Sequence, residues 1–188
     1  MVLAIRPFQA LILALLLAFM PAAGLRAAPL VDSKALDQLF VELRTAPDAD
    51  TAYAIDRKIW DIWMAPTDKG LAERMQQVLA ARRALDFNGA LALLDRIVAD
   101  YPTYAEGWNQ RATLYYLTDD FDRSLADIDK VLQYEPRHFA ALSGRAIIHL
   151  ARNERGLALM DMRAALAIHP FLAERQLFPE LLNEVTYV

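Results

Sequence analysis

Three prolines, Pro102, Pro136 and Pro170, lie 34 residues apart, and the residues around them repeat with the same period. A fixed period of this length is typical of stacked helical hairpins, in which each unit buries its apolar face against the next. Apolar residues recur at three- and four-residue spacing, as in amphipathic helices. The sequence therefore predicts an all-α fold, a right-handed α-solenoid of helix-turn-helix hairpins.

Three units, residues 71–104, 105–138 and 139–172, align without a gap. Small side chains recur where the two helices of a unit must approach closely, as with Ala112 and Ser124 in the middle unit. Proline ends each second helix because the residue before it is pushed out of helical geometry. The predicted repeats therefore cover 102 of the 188 residues.

The middle unit resembles a tetratricopeptide repeat (TPR). Trp108 stands at the aromatic position of its first helix, Ala112 and Ser124 at the two small positions, and Pro136 at the end. The other two units match the same pattern, the first most loosely, with Arg74 where the aromatic residue is expected. The resemblance implies a protein-binding module of the exported bacterial type.

The segments outside the repeats also read as helical. Residues 33–66 form a hairpin out of register with the repeats, interpreted as an N-terminal cap or degenerate repeat, because terminal units of such arrays are atypical. Asp50 or Thr51 is expected to cap its second helix. Residues 173–188 are expected to form a C-terminal capping helix and tail.

The first 27 residues have the three parts of a secretory signal peptide. Arg6 precedes an almost wholly apolar run from Phe8 to Met20, and small residues follow. Cleavage after Ala27 or Gly24 is expected, which would make the protein periplasmic or secreted. The alternative is an uncleaved membrane anchor, although the run is shorter than the roughly 20 residues of a spanning helix.

Composition excludes several functions. The chain has no cysteine, so it has no disulfide, no thiolate zinc site and no thiol nucleophile. Without residues 1–27, which hold two arginines and no acid, the formal charge changes from −4 to −6. An acidic chain of this size lacks the basic footprint of a nucleic-acid-binding protein.

The first helices of a solenoid line its concave groove, and their exposed positions are the predicted peptide-binding surface. These residues are Met75, Leu79, Arg82, Asn109, Thr113, Tyr116 and Ile147. The best-known TPR grooves bind a C-terminal carboxylate through basic residues, but the third repeat has Ala140, Ser143 and Gly144 where those would stand. Packing against apolar and amide side chains is therefore expected to hold the peptide.

No catalytic, cofactor or metal site is predicted. His138, His149 and His169 are scattered, whereas a metal requires converging ligands. Asp119 and Asp120 precede a helix, where capping aspartates are common, and lack the spacing of a calcium loop.

Two ion pairs are predicted from the repeat register. Arg111 and Arg145 hold the same place on the core side of their first helices, and Asp127 and Asp161 the same place on the second helices. A partly buried arginine requires a carboxylate to offset its desolvation, so Arg111 should pair with Asp127 and Arg145 with Asp161.

These features together predict a non-enzymatic protein- or peptide-binding scaffold or adaptor of the bacterial cell envelope. One alternative is an envelope-assembly factor anchored in the inner membrane by an uncleaved leader. A hydrolase acting on cell-wall material is another, and a structural unit that self-associates through its ends is a third. The sequence identifies neither the partner nor the oligomeric state.

Overall fold

The computed structural model describes residues 30–182. The predicted signal peptide and the tail from residue 183 onward lie outside the described residues. The described part contains eight α-helices: α1 Ser33–Arg44, α2 Ala49–Met64, α3 Lys69–Arg83, α4 Phe87–Asp100, α5 Ala105–Leu117, α6 Phe121–Tyr134, α7 Phe139–Ala151 and α8 Arg155–Ile168. Between residues 30 and 182, none of these helices has the length and apolar character needed to cross a membrane.

Most of the helices begin at an aspartate that caps the first turn. Asp68 accepts a hydrogen bond from the Leu71 N–H at 2.8 Å, and Asp48 accepts one from the Thr51 N–H at 2.8 Å. Such a side chain satisfies a backbone donor that has no partner within the helix. The α2 helix therefore begins at Ala49, and its cap is Asp48 rather than Asp50 or Thr51.

The pairs α3–α4, α5–α6 and α7–α8 stack as three consecutive hairpins, which we call the repeat array. Small side chains hold the two helices of each pair close together. Ser124 Oγ donates to the Ala112 carbonyl oxygen at 2.9 Å, and Ala146 and Ala158 are both fully buried. The second helix of each hairpin also packs against the first helix of the next, α4 on α5 and α6 on α7, so the first helices line one face of the array.

Arginine–aspartate bridges connect the repeats. Arg111 on α5 donates from Nε and Nη2 to the two carboxylate oxygens of Asp127 on α6, both at 2.7 Å. Its Nη1 donates to Asp95 on α4 of the preceding repeat at 2.9 Å. Arg145 binds Asp161 in the same bidentate way, at 2.8 and 2.7 Å. The structure thus brings both predicted pairs together, and each arginine also reaches across a repeat boundary.

The turn inside each repeat contains one residue in the left-handed region. These residues are Leu85, Asp119 and Asn153, with φ of 59°, 58° and 60°. In this conformation the Cβ of any residue approaches the following carbonyl oxygen, and asparagine and aspartate offset the cost through local hydrogen bonds of their short polar side chains, which leucine cannot make. Leu85 is 76% exposed, so few buried contacts compensate for the strain.

Replacing Leu85 by asparagine is therefore expected to increase the free energy of unfolding by about 1 kcal/mol. Urea denaturation of the wild type and Leu85→Asn would measure the difference. Ala84→Asn is a suitable control, because Ala84 is exposed and has an ordinary φ of −79°. An equal or lower urea midpoint for Leu85→Asn would contradict the assignment of strain.

The hairpin α1–α2, which we call the N-terminal hairpin, does not extend the array as an extra repeat ahead of α3. Instead, α1 packs against α8, and the hairpin shares one core with the last repeat. Its large apolar side chains explain this placement, because the tryptophans of α2 do not suit the close helix contact of a repeat. The shared core includes Leu36, Phe40, Ile59, Trp63, Phe139, Leu142 and Met162.

The C-terminal segment differs from the expected capping helix. It forms two short 3₁₀ turns, Ala173–Leu177 and Pro179–Leu181, as far as residue 182. Pro179 cannot continue a helix from the preceding turn. Phe178 and Leu181 are buried in the core shared by α1 and α8, so this segment is part of the core rather than a solvated cap.

Candidate functional site

The α2 helix lies across the beginnings of the first helices of the repeats. Near its start, Tyr53 Oη donates to the Phe171 carbonyl oxygen at 2.9 Å, beyond the last repeat. Near its end, the Trp63 ring stacks on His138 with a centroid distance of 4.0 Å, and Tyr104 Oη donates to the Trp63 carbonyl oxygen at 2.6 Å. The helix therefore runs from the last repeat towards the first and closes one half of the groove.

The structure corrects one predicted binding residue. Met75 was expected to face the groove, but it is fully buried in the core of the first repeat, with Leu30, Val31 and Met64 packed against that core. Ser143 is also buried, at 3% exposure. Met75 lies on the face of α3 that packs against its own hairpin partner, because residues of α3 and α4 form most of this buried cluster.

A buried polar network lies beneath α2. Glu106 is 1% exposed and accepts hydrogen bonds from Asn109 Nδ2 at 3.1 Å and from Gln110 Nε2 at 2.5 Å. His138 Nδ1 accepts from the Ala141 N–H at 3.2 Å, which leaves its Nε2 to donate to Glu106 at 3.1 Å. The network fixes the orientation of Asn109, because a carboxylate only accepts and the amide must present its NH₂ to it.

The interface that the N-terminal hairpin makes with the rest of the fold, which we call its seat, contains buried polar atoms without hydrogen-bond partners. Within residues 30–182, three buried side-chain polar atoms have no hydrogen-bond partner: Asp56 Oδ1, Trp63 Nε1 and His169 Nε2. Asp56 and Trp63 belong to α2, and the His169 ring packs edge-on against Tyr53 of α2, at a centroid distance of 5.8 Å. An unsatisfied buried polar group costs about 1–3 kcal/mol, so this seat is less stable than a fully paired interface.

Two of these groups have shifted pKa values. Burial lowers the pKa of His169 from 6.5 to about 4. Burial also raises the pKa of Asp56 from 3.8 to about 6, and the nearby negative charge of Glu174 adds to this increase. Burial therefore shifts both equilibria towards the neutral form: His169 is neutral at pH 7, and Asp56 takes up its proton below about pH 6.

The His169 shift predicts a loss of stability in mild acid. Between pH 6.5 and about 4 the unfolded chain binds a proton at His169 that the folded chain does not, so the free energy of unfolding falls by about 3 kcal/mol over this range. Asp56 acts in the opposite sense, because its raised pKa makes the folded chain bind the extra proton as the pH falls from about 6 to about 4.

The difference between wild type and His169→Phe isolates the histidine, because Asp56 contributes to both proteins. We expect the free energy of unfolding of the wild type, relative to the variant, to fall by about 3 kcal/mol from pH 7 to pH 4 in urea titrations. A difference that does not change with pH would contradict the inference that His169 is neutral when folded.

The other half of the groove is open and contains a cavity. The cavity lies between α5 and α7, along the last two turns of α5, and has a volume of about 160 Å³. It exists because Gly144 and Ala140 leave room on α7. Its principal lining residues are Asn109, Thr113, Tyr116, Ala140, Gly144 and Ile148.

The predicted groove residues divide between these two halves. Three of them, Asn109, Thr113 and Tyr116, line the cavity. Leu79 and Ile147 are half-buried and do not line it.

Arg82 is oriented towards the buried network rather than towards solvent, since its Nη1 donates to Gln110 Oε1. The open part of the groove therefore covers fewer residues than the sequence predicts, and it lies on repeats two and three.

Gly144 and Ile148 were missed as site residues. A glycine inside a helix costs about 1 kcal/mol relative to alanine, so Gly144 was a detectable signal in the sequence. The structure shows that no packing contact requires it, because a Cβ built at Gly144 meets no atom within 4 Å. At Gly107, by contrast, a Cβ would lie 2.9 Å from Ile97 Cγ2, so close helix packing explains that glycine.

The described residues hold no group of three or more acidic or histidine side chains that could bind a metal ion. The groove presents amide, hydroxyl, aromatic and aliphatic side chains, and Glu106 on α5 is buried and hydrogen-bonded to Asn109, Gln110 and His138. Such a surface can recognise a polypeptide through packing and hydrogen bonds.

The fold and the relatives of the chain agree on its class. No family model matches the chain. A TPR repeat-containing protein of Rhizobium etli is 38% identical over 138 residues, which are 72% of this chain and 66% of the relative. The chain thus spans a little less than two thirds of that relative's length. It belongs to the tetratricopeptide-repeat proteins.

Solved structures show the same fold at low sequence identity. A complex of the TPR2B domain of yeast Sti1 with an Hsp70 peptide matches with a TM-score of 0.50 and 18% identity, over 63% of this chain and 91% of that chain. A chain of the CopN–Scc3 complex matches with a TM-score of 0.51 and 14% identity, over 80% and 96%. These two likenesses show a shared helical-repeat fold.

Proposed function

We propose that this protein is a scaffold of the bacterial cell envelope that binds a polypeptide segment in the open half of its concave groove. The observation that carries the proposal is the cavity between α5 and α7, beside the exposed side chains of Tyr116 and Leu117. Tyr116 is 37% exposed and Leu117 is 52% exposed, although both could be buried by a ligand. Isolated exposed apolar residues are common, but here they adjoin a concave site.

The covered half supports the same proposal. There α2 packs its apolar side chains against the first helices, which is the way an amphipathic helix binds in a groove. The N-terminal hairpin thus limits the ligand to the surface of repeats two and three. An enzymatic alternative has no support from this surface, because its only acid is buried and hydrogen-bonded.

The test is crosslinking capture from intact cells with a matched pair of variants. Tyr116→Ser with Leu117→Ser changes the open groove, whereas Leu157→Ser with Met160→Ser changes exposed apolar residues of α8 outside it. We expect the first variant to lose partners that the wild type and the second variant retain. If all partners survive the first change, the groove is not the binding surface.

The envelope location rests on the pattern of residues 1–27 and requires its own measurement. We expect N-terminal sequencing of the protein from its native host to begin near Leu25 or Ala28. A mature protein that retains Met1 would favour the membrane-anchored assembly factor over the exported scaffold.

A further inference from the structure

We infer that the cavity over Gly144 is a specificity pocket that takes one apolar side chain, of leucine to phenylalanine size, from the bound segment. The inference rests on the proposed function, because it places the ligand in the open half of the groove. It adds the chemical class of the residue that the groove selects.

The size and lining of the cavity point to an apolar group. Its volume is about 160 Å³, and a cavity of roughly 150 Å³ in another protein holds a benzene molecule. Alanine and isoleucine side chains form the apolar part of the walls, and Thr113 and Ser124 add two hydroxyl-bearing side chains; the apolar residues are Ala112, Ile128, Ala140, Ala141 and Ile148. A charged side chain placed there would be desolvated without a partner of opposite charge.

Gly144 provides the pocket without serving the fold. It lies in the interior of α7, where alanine would stabilise the helix, and a Cβ at this position would extend into open space. The equivalent residues of the first two repeats are Gln76 and Gln110, so only the third repeat is open here. The glycine is therefore explained by a group that enters the cavity from outside.

Asn109 provides a polar anchor at the same place. Its side chain lines the cavity and is 7% exposed, and Glu106 binds its NH₂ group. The Oδ1 atom consequently points away from Glu106, and no donor from residues 30–182 reaches it. The Oδ1 atom is accessible to solvent in the cavity, so it is free to accept a hydrogen bond from a backbone N–H of a bound segment. A peptide residue can satisfy both features at once, with its side chain in the pocket and its N–H on Asn109.

The experiment is selection of a random ten-residue peptide library on the full chain, followed by affinity measurements on the best peptide. Gly144→Leu fills the pocket, and Gly156→Leu is the matched control, because a Cβ at Gly156 also meets nothing within 4 Å and does not lie in the cavity. Circular dichroism would verify that both variants retain their helicity.

We expect one apolar peptide position at which alanine reduces affinity for the wild type about tenfold or more. The same peptide should lose about tenfold or more on Gly144→Leu and keep its affinity on Gly156→Leu. Equal affinity for the wild type and Gly144→Leu would overturn the pocket, as would a library that yields no Gly144-dependent peptide.

The outcomes also separate the two proposals. Peptides that bind Gly144→Leu normally but bind the Tyr116→Ser, Leu117→Ser double variant more weakly would contradict the pocket inference and still support binding in the groove. Peptides that bind both variants normally would overturn the groove as well.

Discussion

Replacing Trp63 by alanine is expected to lower the free energy of unfolding by about 3–5 kcal/mol. Trp63 is 2% exposed and contacts the rings of His138, Phe139 and Phe40, at centroid distances of 4.0, 5.4 and 6.0 Å. Its removal leaves a large cavity where the N-terminal hairpin meets the repeat array. The surrounding rings belong to α1 and to the start of α7, which are held apart by their own packing, so they cannot collapse fully into the space.

The effect should be concentrated in the N-terminal hairpin. Native-state hydrogen exchange is expected to accelerate first in α1 and α2, because their seat already contains unsatisfied polar atoms. Val41→Ala is the control, since Val41 lies on α1 but is 62% exposed, and its change should be within about 0.5 kcal/mol. A Trp63→Ala protein as stable as the control would show that the hairpin does not depend on this contact.

Removing the Arg111 guanidinium is the second change with a large expected effect. Asp127 is 6% exposed at its side chain and relies on Arg111 for two hydrogen bonds, which also raise the pKa of the arginine. Arg111→Ala leaves this carboxylate buried without its partner, which is expected to cost about 3–5 kcal/mol in urea denaturation. A loss below about 1 kcal/mol would mean that Asp127 is hydrated or paired in another way.

Two further variants separate the buried contact from the exposed one. Asp95→Ala removes only the hydrogen bond between Arg111 Nη1 and Asp95, whose side chain is 59% exposed. The free energy of unfolding is therefore expected to fall by at most about 1 kcal/mol. Arg111→Gln with Asp127→Leu installs the residues of the first repeat, Gln77 and Leu93. Because a buried ion pair is often replaceable by uncharged residues, this double variant should recover most of the stability that Arg111→Ala loses.

The repeat architecture could be predicted from the sequence because its determinants are local or periodic. The 34-residue spacing set the units, and the small residues Ala112 and Ser124 set the helix contact. The Arg111–Asp127 pair followed from the same register, because equivalent residues of stacked hairpins meet equivalent neighbours. The cores of these hairpins required no information from distant parts of the chain.

The candidate site depended on contacts outside this period. Nothing local to Tyr104 or His138 indicates that α2 packs against them, because Trp63 lies 41 residues before Tyr104 in sequence and the N-terminal hairpin has no register with the repeats. The tyrosine at position 116 lines the cavity and stays 37% exposed, with its ring stacked on Phe121 of α6.

The sequence by itself determined the all-α repeat fold and the concave face of the first helices, since helix period, caps and repeat register are short-range properties. Only the tertiary structure decided which part of that face is available. The N-terminal hairpin closes one half because its large apolar side chains find their best burial across the repeats. The missing side chain at Gly144 opens a pocket in the other half, and whether a glycine leaves a void depends on neighbours that only the folded chain brings together.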